Sequence, residues 1–346
     1  MLPRGLQILL GLAAAVITIA GIRSGASILG PAVLALILTI AVHPLRTYAA
    51  RFGLPPWAGL IVGVVGVYVV LLLLAVSMVI AAARFATLLP DYQAEFNDLV
   101  QSSIDILGTY GVSSSQIENI TSSFDVGQAV SVAGSVLSQL LSLTSNLLFI
   151  ITLLLFMAMD ASHLPEKLQH ARAERPAIIE ALSQFADGTR RYLVVSTVFG
   201  LIVAVLDTVF LAFTPVPEPL LWGLLAFITN YIPNIGFVVG MVPPAILALL
   251  EGGPLLMLLV VTVYSVLNFV IQSLVQPKFV GDSVGLSGTL TFLSLVFWGW
   301  TLGALGALLA VPLSLLVKAV LVDVDPESQW LSRLLSGGPA AADDSR

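Results

Sequence analysis

Asp207 lies in the apolar text Val205-Leu206-Asp207-Thr208, near the middle of a run from Tyr192 to Phe213 that is long enough to cross a membrane. An isolated carboxylate at that depth costs at least about 2.5–3.5 kcal/mol, so it must face a polar cavity, find a partner or carry a proton. No Lys or Arg stands at matching depth to form a buried pair. Asp207 is therefore the candidate for proton or cation coupling, with a hydrogen-bonded structural Asp as the plainer reading. A second group of residues is polar but uncharged: Asn230, Asn234, Asn268, Gln272, Gln276 and Thr301. They stand beside Pro233 and Pro277, or beside Gly236, Gly240, Gly303 and Gly306. Such amides and hydroxyls can bind a small hydroxylated solute or complete the shell of a desolvated cation. They can equally satisfy the backbone groups that the prolines set free. The glycines permit close helix approach or a sharp turn.

Enzyme chemistry finds little support. With no cysteine, thiol nucleophiles, disulfides and thiolate metal sites are excluded. The three histidines, His43, His163 and His170, have no metal-ligand partner at helical spacing, so neither a metal nor a cofactor is expected. No Gly-x-Ser-x-Gly, His-Glu-x-x-His or Gly-x-x-x-x-Gly-Lys-Ser/Thr element occurs, which argues against hydrolysis and against ATP-driven transport by this chain. No block of basic residues with interleaved aromatics points to nucleic acid.

The elements that hold these residues are those of an all-α polytopic membrane protein. Hydrophobic residues make up 58% of the 346 positions and charged residues only 10%, a balance no soluble globule could bury. Continuous spans are expected at Leu6–Ile22, Ala26–Val42, Trp57–Ala83, Val132–Met159, Tyr192–Phe213 and Leu255–Val275. Leu6–Ile22 imitates a signal peptide but is long for one, and a second span follows almost at once. Two further stretches, Pro219–Leu250 and Leu286–Val322, are too long for one span: as straight helices they would be about 48 and 55 Å, against a hydrocarbon core of about 30 Å. The first is broken at Asn230–Gly236 and the second at Gly299–Gly306. Both read as re-entrant or broken helical hairpins, which makes about eight membrane segments. Interrupted segments at corresponding places in two halves point to a binding site at membrane depth. Trp57, Trp222, Trp298 and Trp300 are candidates for wet boundaries or hairpin tips.

The domain plan is a three-span unit at 1–83, an extracytoplasmic amphipathic helical segment at 84–131, a fourth span at 132–159, a cytoplasmic amphipathic loop at 160–191, a transport unit at 192–322 and a disordered cytoplasmic tail at 323–346. In the first polar segment Phe85, Leu88, Leu89, Tyr92 and Phe96 recur at helical spacing, and Asp125 suits an N-cap. In the second, Pro176 starts a helix and the basic residues mark the cytoplasmic side. With the N-terminus inside and both long stretches folded as hairpins, only Arg23 and Arg84 of the 14 Lys and Arg lie outside. The order span, hairpin, span, hairpin then forms an inverted repeat, which provides the two near-equivalent conformations that alternating access needs.

At these residues the chain resembles the AI-2E family, the predicted exporters of the quorum signal autoinducer-2. The resemblance rests on the text PLLWGLLAFITNYIPNIGFVVGMVPPAILALLEGG, then VQPKFVGDSVGLSG, then GALGALLAVPLSLLVKAV. It implies eight membrane helices, a homo-oligomer with a pentamer as the implied number, and an elevator-like mobile unit built from the hairpins. It also implies varied substrates, autoinducer-2 for some members and sodium/proton antiport for others. Many relatives carry a Glu a few residues before the Gln-Pro of Gln276-Pro277, but here no carboxylate lies between Gly252 and Gly281. The expectation is thus a secondary transporter of a small polar solute or of sodium or protons in the bacterial inner membrane, with both termini cytoplasmic and the hairpin tips forming a midplane site. An uncoupled pore or scaffold is the rival class.

Overall fold

The computed structural model describes residues 3–51, 53, 55–88, 92, 101–102, 134, 147–161, 164–233, 235–276 and 286–325. Among them every regular element is a helix, as a chain immersed in lipid requires, since backbone groups must be satisfied within the segment. Five helices are long and apolar enough to cross a membrane. Large apolar side chains such as Leu9, Ile17 and Val62 point outward from them, the arrangement expected where the surroundings are hydrocarbon.

Helix α1 (Arg4–Ser24) turns at Gly25 into α2 (Ala26–Arg51), and α3 (Pro56–Leu88) follows. The described part of the fourth span is α4 (Leu147–Asp160), and a short helix, α5 (Leu164–Glu174), lies beyond it. Pro176, at the first turn, opens α6 (Pro176–Ala212), where its missing N–H costs nothing. At 37 residues α6 is about 55 Å long. The amphipathic stretch after Pro176 and the fifth span, expected as separate elements, are one helix because no proline interrupts them. The expected helix and cap within 84–131, the first half of the fourth span and most of the C-terminal tail lie outside the described residues.

Both long stretches fold as paired arms. In the first, α7 (Pro219–Thr229) is followed by a turn and then α8 (Gly236–Asn268). Within α8, Gly253 takes φ 73°, ψ −170°, which ends the second arm of the hairpin and begins a separate span at Pro254. That span continues as a π-helical segment, Phe269–Val275. In the second stretch, Ser287 caps α9 (Gly288–Leu302) by accepting a hydrogen bond from Leu290 N at 3.3 Å. The break falls at Gly303, φ 68°, and the return arm is α10 (Ala304–Leu308), α11 (Ala310–Lys318) and a π-helical segment, Ala319–Asp323.

The arms of each hairpin touch backbone to backbone. A Cβ at Gly236 would strike the carbonyl oxygen of Thr229, and one at Gly306 would strike that of Trp298. Each hairpin thus places a glycine of the return arm on a carbonyl of the leading arm.

The core divides accordingly. Trp222, Leu247, Val260 and Tyr264 form a cluster around the first hairpin, with Phe85 and Met78 of α3 against it. Leu295, Trp298, Leu309 and Leu313 pack the second hairpin onto Leu34 and Ile37 of α2 and Leu154 of α4. Trp222 and Trp298, expected at wet boundaries or hairpin tips, are buried at 1% and 7% exposure. Each indole finds an internal acceptor, Pro217 O at 2.8 Å and Ser314 Oγ at 3.0 Å, so neither needs water. Trp300 is exposed, with the Arg23 guanidinium 4.5 Å over its ring.

Candidate functional site

Pro233 follows Ile232 in the turn after α7, and the turn projects Asn230 and Tyr231 towards α6. Asn230 Nδ2 donates to Ser196 O at 3.1 Å, and the amide rests on Gly200, where a Cβ would come within 2.7 Å of it. On the other side, Gln272 Nε2 donates both to Asn230 Oδ1 at 2.8 Å and to Asn268 Oδ1 at 2.9 Å. Asn268 Nδ2 donates to Tyr264 O at 3.0 Å. Three amide side chains and two main-chain carbonyls from three elements are therefore joined in series: α6, the hairpin turn and the 254–275 span. Tyr192 and Tyr231 extend it, since Tyr192 OH donates to Tyr231 O at 2.7 Å. Thr197 Oγ1 gives its single proton to Leu193 O at 2.6 Å, so the 2.7 Å bond between Thr197 and Tyr231 has the tyrosine as donor.

The unspent capacity of this chain defines what it can hold. Both protons of Gln272 Nε2 are committed, leaving Oε1 as an acceptor, whereas Asn230 and Asn268 each keep one amide N–H. Mixed donors and acceptors without charge suit hydroxyl groups, which both give and take hydrogen bonds. A metal cation would use only the acceptors.

Asp207 stands apart. It lies on the same buried face of α6, eleven residues from Ser196 and so about 16 Å along the axis. Its exposure is 0%, and neither carboxyl oxygen has a hydrogen-bond partner. Tyr264 of the 254–275 span lies within electrostatic reach of it. Because Ser196 is joined to Gln272 through Asn230 while Leu211 shares a buried cluster with Val260 and Tyr264, α6 and the 254–275 span run antiparallel.

The structure brings together Asn230, Asn268 and Gln272, and Thr301 takes no part in their hydrogen bonds. Thr301 is buried and its hydroxyl is turned back onto Phe297 O. Gly303 is an exposed turn, and the neighbouring Leu305 meets Gly30 of α2 near the α1–α2 connection. The first hairpin turn, by contrast, sits beside Tyr192, next to Arg190, whose Nε reaches Ile40 O at 3.4 Å. Ten residues of α2 separate Gly30 from Ile40, an offset of roughly 15 Å. Ile232 of the first turn packs against the buried cluster that holds Leu302 and Leu309 of the second hairpin. Gly240 is a packing residue against Thr229 and Ala226, Gln276 ends the π-helical segment, and Asn234 and Pro277 lie outside the described residues.

Sequence reasoning missed Tyr192, Ser196, Thr197, Tyr231 and Tyr264. A signal was present: Tyr264, Asn268 and Gln272 recur at a spacing of four, and Ser196 and Asp207 fall on one helical stripe with Tyr192.

The sequence profile described as the AI-2E family transporter matches residues 12–324. The chain is 32% identical over 317 residues to the AI-2 transport protein TqsA of Escherichia coli K12, covering 92% of each protein. It is 31% identical over 314 residues to the putative transport protein YhhT of the same strain, covering 91% of this chain and 90% of that one. A putative transport protein of Haemophilus influenzae is 28% identical over 318 residues, covering 90% and 91%. A match across almost the whole length, on a helical membrane chain with two paired-arm hairpins, carries one conclusion: this protein belongs to the AI-2E family of transporters.

Proposed function

We propose that the chain is a secondary transporter of a small, uncharged, hydroxylated solute of the autoinducer-2 type, bound at the amide chain of Asn230, Asn268 and Gln272. The single observation that carries this reading is the series of hydrogen bonds joining the turn of the first hairpin to α6 and to the 254–275 span. A solute held there touches three elements at once, so moving the hairpin relative to α6 moves the solute or exposes it. The antiparallel pairing of α6 with the 254–275 span, each followed by a hairpin, supports an inverted repeat and an elevator-like alternation between two exposures. We place the protein in the bacterial inner membrane with both termini cytoplasmic, as a homo-oligomer, following the charge distribution and the resemblance.

The test is transport of labelled autoinducer-2 into proteoliposomes holding the purified chain. Flux is expected to saturate with concentration. Asn230→Ala and Gln272→Ala should each raise KM about 2- to 13-fold, the effect of about 0.5–1.5 kcal/mol per hydrogen bond lost. Flux that rises linearly without saturation would identify a pore instead.

A further inference from the structure

Asp207 and Tyr264 form a pair that the amide chain does not use. Asp207 is wholly buried, both its carboxyl oxygens and the Tyr264 hydroxyl lack hydrogen-bond partners, and the tyrosine lies within electrostatic reach of the acid. Tyr264 lies in a buried apolar cluster with Leu211, Trp222 and Val260. Among the described residues, Tyr92 is a further titratable side chain packed against the cluster that holds Tyr264. Arg84 and Tyr92 lie at the outer base of the hairpin, where they engage Glu218 and Glu251. A hard metal cation stripped of water takes about six oxygen ligands, and two carboxyl oxygens with one phenol fall far short. A proton needs one oxygen and one acceptor.

We infer that Asp207 is the proton-binding site of the transport unit, and that the coupled ion is a proton rather than sodium. This rests on the reading above that the hairpin unit moves a solute. The pair is also wired to the solute site, since Tyr264 O accepts from Asn268 Nδ2 at 3.0 Å and Asn268 bonds Gln272 in turn. When the hairpin exposes the pair on one side of the membrane, hydronium gives its proton to a carboxylate oxygen of Asp207; an O–H bond forms and the acid is neutral while buried. On exposure at the other side that O–H bond breaks, a water molecule takes the proton and the carboxylate remains.

Two measurements on the full chain test this. In proteoliposomes loaded with a fluorescent pH indicator, a pH difference across the membrane should change the accumulation of labelled autoinducer-2 at least tenfold, while a sodium gradient at equal pH changes it less than twofold. In Asp207→Asn the ratio of accumulation with and without the pH difference should fall to about one, at whatever flux remains. Saturable flux with no such ratio in the wild type would overturn the proton assignment and leave the solute reading standing; flux that never saturates would overturn the solute reading. Infrared spectra of the reconstituted protein with isotope-labelled aspartate need no solute. They should show at neutral pH the carbonyl stretch of a protonated carboxyl, absent in Asp207→Asn. A spectrum holding only carboxylate bands, or a carboxyl band that moves when sodium chloride replaces choline chloride, would overturn the inference whatever the transport assay shows.

Discussion

Gly236 and Gly306 hold the two hairpins closed by what they lack. A methyl at either position would meet backbone, with the carbonyl carbons of Thr229 and Trp298 both at 2.7 Å, and backbone of paired arms cannot yield as a side chain can. Gly236→Ala and Gly306→Ala should each cost about 1–3 kcal/mol by overpacking, read as a lower Tm in thermal unfolding of the detergent-solubilised protein. Gly299→Ala, with Ala307 Cβ 3.7 Å away, should leave Tm nearly unchanged. Gly200 is a different case, because its methyl would meet the movable amide of Asn230 rather than backbone. Gly200→Ala should therefore raise KM for solute while shifting Tm little, a split that separates a binding role from a packing one. All of these glycines stand in the sequence as small residues; that one backs onto a carbonyl and another onto an amide is a matter of which helix lies opposite.

At the level of elements, the first hairpin is fastened to the end of α3. Phe85 meets Trp222 edge to face at 5.8 Å, Arg84 lies 3.8 Å from Glu218, and Tyr92 bonds Glu251. The ion pair is solvent-exposed on both sides and contributes about 0–1 kcal/mol, whereas the aromatic contact seals the top of a buried cluster. Phe85→Ala should accordingly lower Tm more than Arg84→Ala, and should increase protease or hydrogen-exchange access at the base of the hairpin where Arg84→Ala does not. The long α6 and the π-helical turn of Phe269–Val275 are the rails between which the hairpin sits. A π segment beside the Gln272 amide is in keeping with the frequent use of that geometry at functional sites. The existence of α6 was legible from its apolar run and from Pro176, but its continuity was not. An amphipathic stretch followed by an apolar one reads as two elements when only hydropathy is counted, yet no residue between them stops the backbone hydrogen bonds.

For the whole molecule, the hairpin reading fixes a sidedness that single cysteines can report, since the chain has none of its own. Gly253→Cys should react with a membrane-impermeant thiol reagent from outside and Ser287→Cys only from inside; the reverse pattern would remove the inverted repeat. What the sequence by itself determined is what its solvent demands. A chain of mean hydropathy +1.02 must run as helices in lipid, and Asn230–Gly236 and Gly299–Gly306 must break two stretches too long to cross once. Asp207 announced itself by cost alone. Only the tertiary structure decided which polar residues meet. Hydrogen bonds between Asn230, Gln272 and Ser196 depend on the antiparallel alignment of α6 with the 254–275 span, a relation between residues far apart in the chain. Thr301, by contrast, spends its hydroxyl on Phe297 O of its own helix, because no polar partner among the described residues is brought to it by a neighbouring element.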